Sequence, residues 1–101
     1  MIIYNETIIV EDATYDEWLR YMQQTHIPAV MATGCFNSYR ILKVIDSPNE
    51  GVTTCIQYNA NDLVNFNRFF NQHLHALQAT HQQQFENKFV LFNTLMEELK
   101  D

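Results

Sequence analysis

The sequence has little glycine, cysteine or positive charge, and each shortage excludes a class of function. Its two glycines cannot form a glycine-rich phosphate-binding loop, so nucleotide chemistry of that kind is not predicted. Its two cysteines, Cys35 and Cys55, lack a CxxC spacing and are too few for a disulfide framework. No apolar run approaches the ~20 residues of a membrane span. We therefore predict a cytoplasmic protein without a membrane-spanning segment.

Positive charge is scarce and dispersed along the chain. Six basic residues stand against twelve acidic ones, for a formal net charge of -6, and the basic residues occur one at a time. Nucleic acid binding normally requires a basic stripe that displaces counterions from phosphates. An anionic membrane surface would repel the chain for the same reason. The sequence therefore predicts neither a nucleic acid nor a membrane as partner.

The composition is typical of one packed domain. Hydrophobic residues make up 47% of the 101 residues and aromatic residues 13%. This length fits a single domain that spans residues 1–101. A chain so short buries roughly 60 to 65% of its unfolded surface, so it gains more than most from a subunit interface.

Hydrophobic periodicity predicts a strand and a helix in the first third of the chain. Residues 2–10 are β-branched and alternate, which is typical of a strand. Thr14 and Glu17 have the spacing of a capping box at the start of a helix. The apolar face of this helix comprises Tyr15, Trp18, Leu19, Met22 and His26. Pro28 is predicted to open a short second turn that ends at Gly34.

The remaining residues predict two strands, a second helix and a last strand. Strands over residues 36–46 and 52–60 flank the turn sequence SPNEG, and the last strand lies in KFVLFNTLMEEL. Asn61 or Asp62 caps a helix whose apolar face comprises Leu63, Phe66, Phe70, Leu74 and Leu77. This order is the α+β, ferredoxin-like βαββαβ pattern, a four-stranded antiparallel sheet with two helices on one face.

Both faces of the predicted sheet are apolar, although two helices cover only one. In the first strand, Ile2, Tyr4, Ile8 and Val10 share one face, and Ile3 and Ile9 belong to the other. An antiparallel sheet with a solvated face usually alternates apolar and polar residues. We therefore predict a homodimer that forms through the open face, and we place Leu91 of the last strand in that interface.

Four segments resemble a family of short bacterial proteins, a domain of unknown function in the dimeric α+β barrel superfamily. The segments are MIIYNETIIV, DEWLRYMQQTHIPAVMATGCF, TCIQY and KFVLFNT, and the pattern W-L-x-x-M-x-x-x-H-I-P is the most distinctive part. The resemblance implies the dimeric barrel and supplies no activity. More loosely, the first helix is similar to those of antibiotic-biosynthesis-type monooxygenases and small-molecule isomerases.

The resemblance to haem-degrading members of the fold is incomplete. Those proteins use an Asn on the first strand with a Trp and a His on the second helix. Asn5 matches the first position and His73 or His75 the last, but Phe66 stands in place of the Trp. We therefore predict no cofactor.

Two residues are candidates for acid–base catalysis. His26 lies at the end of the first helix's apolar face and could act as a general acid or base, since histidine titrates near neutral pH. The alternative is a histidine bonded to a carbonyl that Pro28 leaves free. The alternation of residues along the strand places Glu6 on the helix-covered face. A carboxylate there must be paired or have a raised pKa. The alternatives are a bulge in the strand or a position of Glu6 at the open edge of the core.

Four further residues are candidates for ligand binding. Tyr4 and Trp18 share the helix-covered side with Glu6 and His26, and we place Arg40 opposite Tyr58 in the hairpin. These side chains would line a space between helices and sheet, although aromatic residues at such spacings also form ordinary core. His73, His75 and His81 do not have the spacing of metal ligands, so no metal site is predicted.

The sequence leaves two functions open. The first is a homodimer that binds a small hydrophobic ligand or is purely structural. The second is a cofactor-independent monooxygenase or isomerase that acts on a small aromatic compound. Whether the protein is an enzyme depends on whether the space between helices and sheet is a pocket or filled core.

Overall fold

A single antiparallel sheet with strand order β2-β3-β1-β4 underlies the fold. The computed structural model describes residues 1–101. The elements in chain order are β1 (Ile2–Val10), α1 (Tyr15–Tyr21), α2 (Ile27–Ala32), β2 (Ser38–Lys43), β3 (Val52–Ala60), α3 (Leu63–Gln72), α4 (Leu74–Gln84) and β4 (Phe89–Glu97). The ferredoxin-like α+β prediction is confirmed, with each predicted helix formed by two consecutive helical segments. None of the helices combines the length and the apolar character needed to cross a membrane.

The central strand β1 separates a helix-covered face from an open face. It pairs with β3 and β4 along its whole length. Its even-numbered residues lie under the helices, where Ile8 and Val10 are completely buried. Glu6 belongs to this set, so the parity prediction for Glu6 is confirmed and β1 has no bulge.

The helical chain continues through Pro28. Between α1 and α2, residues Met22–His26 form one π-helical turn, and the N–H of Ile27 donates to the carbonyl of Met22. Pro28 then lies in the first turn of α2, where its missing N–H is not needed. The chain reverses at Gly34, which has a positive φ of 75°. The predicted capping box is not formed, since the Thr14 side chain makes no capping hydrogen bond.

The second helical region bends at His73, between α3 and α4. Asp62, one of the two residues predicted to cap this helix, accepts a hydrogen bond from the N–H of Asn65 at the start of α3. The predicted apolar face is only partly correct, because Phe69 rather than Phe70 is buried. Leu63 also lies exposed at the start of α3. The bend at His73 changes which side of the helix faces the sheet. Leu74 and His81 of α4 are buried as a result.

The strand β4 presents the opposite faces from those that we predicted. Leu91 pairs with Ile8, a residue of the helix-covered face, so Leu91 lies under the helices and not on the open face. The alternate residues Val90 and Phe92 point to the open face, where Phe92 is 56% exposed. The prediction for Leu91 is therefore wrong by one residue.

The same kind of error affects the hairpin of β2 and β3. Tyr39, not Arg40, is opposite Tyr58, and Arg40 pairs with Gln57. A shift of one residue transfers every side chain of a strand to the other face. Arg40 therefore lies exposed on the open face, where its Nε donates to Oε1 of Gln57 over 2.9 Å.

Candidate functional site

A cleft opens between α4 and β4 on the helix-covered side of the sheet. Its volume is about 510 Å³. The residues that line it are His75, Gln78, Ala79, His81, Gln82, Phe89, Leu91 and Asn93. No Asp, Glu, Lys or Arg is among them, so amide and imidazole groups supply its polarity. Five of the eight lining residues are polar and three are apolar, so the cleft offers hydrogen-bonding groups beside a smaller apolar surface.

A buried carboxyl group lies beside the floor of this cleft. Glu6 pairs with Asn93 across the β1–β4 ladder and is 3% exposed. Burial raises the pKa of the Glu6 carboxyl from 4.5 to about 7, and a hydrogen bond from Tyr4 opposes this to a smaller extent. Glu6 therefore changes its protonation state near neutral pH, as proton-transfer groups in enzymes often do.

The hydroxyl of Tyr4 connects Glu6 to the cleft. It lies 3.2 Å from Oε2 of Glu6 and 3.1 Å from Oδ1 of Asn93. Burial raises the pKa of Tyr4 well above its usual value, the negative charge of Glu6 and its hydrogen bond raise it further, and a hydrogen bond with Gln78 opposes these effects. Tyr4 therefore stays a neutral phenol that can relay a hydrogen bond between Glu6 and Asn93.

Two buried oxygen atoms next to this network have no hydrogen-bond partner. They are Oε1 of Glu6 and the hydroxyl of Tyr58, which stacks against Tyr4 at a ring distance of 6.2 Å. Burial is the main cause of the raised pKa of Tyr58, and the charge of Glu6 adds to it. An unpaired buried polar atom costs about 1–3 kcal/mol, so a local cluster of them is atypical of a plain core.

A second buried polar group forms the wall of the cleft. His81 of α4 is 1% exposed, stacks on Phe89 at 4.2 Å, and accepts a hydrogen bond on Nε2 from Nε1 of Trp18 over 2.9 Å. Burial, reinforced by the nearby His26, lowers the pKa of His81 to about 3. A neutral His81 that accepts on Nε2 carries its hydrogen on Nδ1. This imidazole is thus held in one orientation and one tautomer.

His26 lies behind His81 and not in the cleft. It is buried at the end of the π turn, with its ring 5.1 Å from the ring of His81. Burial lowers the pKa of His26 to about 4. His26 is therefore neutral at physiological pH, and it reaches the cleft only through His81.

The six residues predicted to line one space fall into three places. Tyr4, Glu6 and Tyr58 are buried together on the sheet. Trp18 and His26 are buried under the helices and meet at His81. Arg40 lies on the open face and cannot contact either group. The cleft between α4 and β4 borders both buried groups, through Asn93 and through His81.

None of the eight residues that line the cleft was predicted as a site residue, including the polar residues Gln78, His81 and Asn93. His81 follows Leu74 by seven residues and Leu77 by four, so helical spacing alone places it on the apolar face of α4. Asn93 interrupts an apolar strand, but its face depends on the alignment of β4 with β1. Gln78 has no comparable signal in the sequence.

The residues that would correspond to a haem-degrading site are not assembled. Asn5 lies on the open face of β1, whereas Phe66 is buried on the other side of the sheet against Tyr4. No group of three or more His, Cys, Asp or Glu side chains converges on a point that could hold a metal ion.

The chain belongs to the family described as domain of unknown function DUF4286, whose model matches residues 1–99. This membership confirms the resemblance drawn from the four sequence segments. No curated protein is similar enough in sequence to count as a relative.

Several solved structures share the fold at low sequence identity. A protein of the ethyl tert-butyl ether (ethd) family from Bacillus halodurans C-125 superimposes with a TM-score of 0.70 at 14% identity, covering 98% of this chain and 100% of the other. SnoaB, a cofactor-independent oxygenase from Streptomyces nogalater, does so with a TM-score of 0.69 at 13% identity, covering 99% and 94%. A dimeric ferredoxin-like protein from an uncultured marine organism gives 0.69 at 10%, covering 99% and 95%. These likenesses show the fold, an α+β ferredoxin-like sheet with helices on one face.

Proposed function

We propose that this protein is a homodimer that binds a small hydrophobic molecule in the cleft between α4 and β4. The observation that carries the proposal is the polar network under the cleft. A carboxyl group buried without a cationic partner is costly for folding, and here one of its own oxygens and the nearby hydroxyl of Tyr58 are both unpaired. Such a cost is typical of groups retained for function. The uncharged lining of the cleft fits a neutral ligand with both apolar and hydrogen-bonding surface.

The homodimer is proposed to form through the open face of the sheet. This face carries Ile3, Ile9, Leu42, Val90, Phe92 and Met96. Exposed apolar patches of this kind mark interaction sites. The amide oxygen of Asn5, buried on the same face, has no partner within the chain and could receive one from a second copy. A protein of similar structure is described as a dimeric ferredoxin-like protein, which supports a dimer here.

Ligand binding is tested by blocking the cleft. We use 1-indanone as a neutral bicyclic probe and record the indole N–H signal of Trp18, the only tryptophan, by proton NMR. Trp18 donates to His81 in the cleft wall, so binding should shift this signal. Ala79→Phe should abolish the shift because Ala79 lines the cleft. Ala76→Phe, an equally large change on the exposed surface of α4, should preserve it. Equal responses of the two variants would contradict the proposal.

The second candidate is an enzyme, a cofactor-independent monooxygenase or isomerase that removes a proton from a small aromatic substrate. The pKa of Glu6 near 7 favours it, since a base is most effective when its pKa lies near the working pH. Glu6 does not line the cleft, so it would take the proton through the hydroxyl of Tyr4. The likeness to a cofactor-independent oxygenase is consistent with it. In deuterium oxide, an active protein would exchange the C2 protons of 1-indanone, and Glu6→Gln would lose the exchange while still binding the ketone. Exchange at the rate of buffer alone would leave binding as the function.

A further inference from the structure

One hydrogen atom is shared among three groups at the floor of the cleft. The Tyr4 hydroxyl is within hydrogen-bond distance of Oε2 of Glu6 and of Oδ1 of Asn93, and both are oxygens. A phenol has one hydrogen to donate. It can satisfy only one of the two acceptors fully, so the second contact requires a hydrogen from the other side.

We propose that Asn93 determines which ligands the cleft between α4 and β4 accepts, and that the protonation state of Glu6, transmitted through Tyr4, decides which end of the Asn93 amide faces the cleft. This inference rests on the proposed function of the cleft as a ligand site. It assigns Asn93 as a specificity-determining residue, with Glu6 and Tyr4 as positioning residues.

With Glu6 protonated, every contact has its own hydrogen. A protonated Glu6 carboxyl has its own hydrogen, which reverses the 3.2 Å contact so that Oε2 donates to the Tyr4 oxygen. The Tyr4 hydroxyl then donates to Oδ1 of Asn93. The amide oxygen of Asn93 then points inward, and its NH₂ group is the end available to the cleft. In this state the floor of the cleft is a hydrogen-bond donor.

With Glu6 ionised, the direction of the hydrogen bonds reverses. The carboxylate can only accept, so it takes the Tyr4 hydrogen. The Tyr4 hydroxyl, which also has a hydrogen bond with Gln78, then has no hydrogen left for Oδ1 of Asn93. The Asn93 amide therefore turns by half a revolution and donates to the Tyr4 oxygen from Nδ2. The amide oxygen now faces the cleft. In this state the floor of the cleft is a hydrogen-bond acceptor.

The surroundings leave Glu6 free to make this change near neutral pH. Its pKa of about 7 is set by burial and by Tyr4, and no cation contributes to it. The titratable groups that face it on the sheet are Tyr4 and Tyr58, both kept neutral by raised pKa values. From α4, His75 and His81 face the same cleft, and burial keeps His81 neutral above pH of about 3.

The two states of the cleft select different classes of ligand. A carbonyl compound, which can only accept, matches the donor state that exists when Glu6 is protonated. A compound with an N–H group that can only donate matches the acceptor state. A mismatch leaves a polar group of the cleft unpaired and should weaken binding by about tenfold.

Three bicyclic probes of similar size separate these classes. The ketone 1-indanone only accepts hydrogen bonds, indole only donates through its N–H, and the hydrocarbon indene does neither. Dissociation constants are measured for the three probes at pH 5.5 and pH 8.5 by titration of protein NMR signals. We expect 1-indanone to bind about tenfold more tightly at the lower pH and indole about tenfold more tightly at the higher pH. Binding of indene should not change with pH.

Two variants locate the effect. Glu6→Gln should make all three dissociation constants independent of pH, and Tyr4→Phe should do the same while leaving Glu6 able to titrate. A pH-dependent preference that persists in Glu6→Gln would assign it to another group, such as His75, and would overturn the inference. In the wild-type protein, an Asn93 side-chain amide signal that does not change between the two pH values would also overturn it. If none of the three probes binds at either pH, the proposed function itself fails.

Discussion

Trp18 and His81, which are 63 residues apart in the chain, are joined by a hydrogen bond of 2.9 Å from the indole Nε1 to the imidazole Nε2. The bond connects α1 to α4 and therefore ties the two helical regions together above the sheet. It requires an unprotonated Nε2, so it exists only while His81 is neutral.

The His26–His81 pair predicts that the protein loses stability in mild acid. Both pKa values are lowered in the folded state, to about 4 and about 3, from 6.5. Above pH 6.5 both histidines are neutral in the folded and unfolded chains, and their stabilising contribution is fully present. As the pH falls, the unfolded chain is protonated first. The free energy of unfolding should then fall by up to about 1.4 kcal/mol per pH unit for each histidine.

Urea denaturation between pH 7 and pH 4 measures this loss. His81→Gln removes one titrating group but keeps an acceptor for Trp18, so its stability should depend less steeply on pH than that of the wild type. Substitution of the exposed His75 by Gln serves as the control and should keep the wild-type slope. Equal slopes for His81→Gln and the wild type would contradict the burial of the pair.

Glu6 predicts an opposite dependence of stability on pH. Its pKa is raised in the folded state, so the folded chain holds the proton more tightly than the unfolded chain. The contribution is fully favourable below pH 4.5 and is lost as the pH rises to about 7. The loss amounts to about 3 kcal/mol. Glu6→Gln should therefore gain stability over the wild type as the pH rises from 5 to 8. A difference in the free energy of unfolding between the two proteins that stays constant over that range would refute the raised pKa of Glu6.

The apolar open face of the sheet predicts that the protein is a homodimer. Light scattering at micromolar concentration should give a mass near twice the 12.0 kDa of one chain. Phe92→Asp places a charge in the proposed interface, where an unpaired buried charge costs several kcal/mol, and should yield monomers or unfolded chains. Val64→Asp, on the exposed surface of α3, should remain dimeric. A wild-type protein that is a stable monomer would rule out this interface.

The order of the elements and the two faces of β1 could be predicted from the sequence because β1 has an unambiguous pattern. On one side of β1, all residues except Glu6 are apolar or aromatic, and the turn sequence after β2 is rich in turn-forming residues. Glu6 was predicted on the helix side for this reason, and the observed register of β1 agrees.

The faces of β4 and β2 could not be predicted, because their patterns are degenerate. In β4, the residues Phe89 and Leu91 on one face are as apolar as Val90 and Phe92 on the other. Only the pairing of Ile8 with Leu91 decides between them. In β2, a long turn allows two registers that differ by one residue, and the choice places Arg40 on either face. The cleft depends on the pairing of β4 with β1, so none of the residues that line it was predicted as a site residue.

The two glycines provide a test of how closely β1 meets the turn before β3. Both have positive φ, 75° at Gly34 and 85° at Gly51, so alanine is strained at either position by about 1–2 kcal/mol. They differ in their surroundings. A Cβ atom at Gly34 would meet nothing within 4 Å, whereas one at Gly51 would lie 2.5 Å from the carbonyl oxygen of Val10. That oxygen belongs to the sheet backbone and cannot move without disturbing the pairing of Val10 with Val52.

Gly51→Ala should therefore lower the free energy of unfolding by about 1–3 kcal/mol more than Gly34→Ala. Urea denaturation of the two variants at one pH measures the difference, and equal losses would mean that the turn does not approach Val10 this closely.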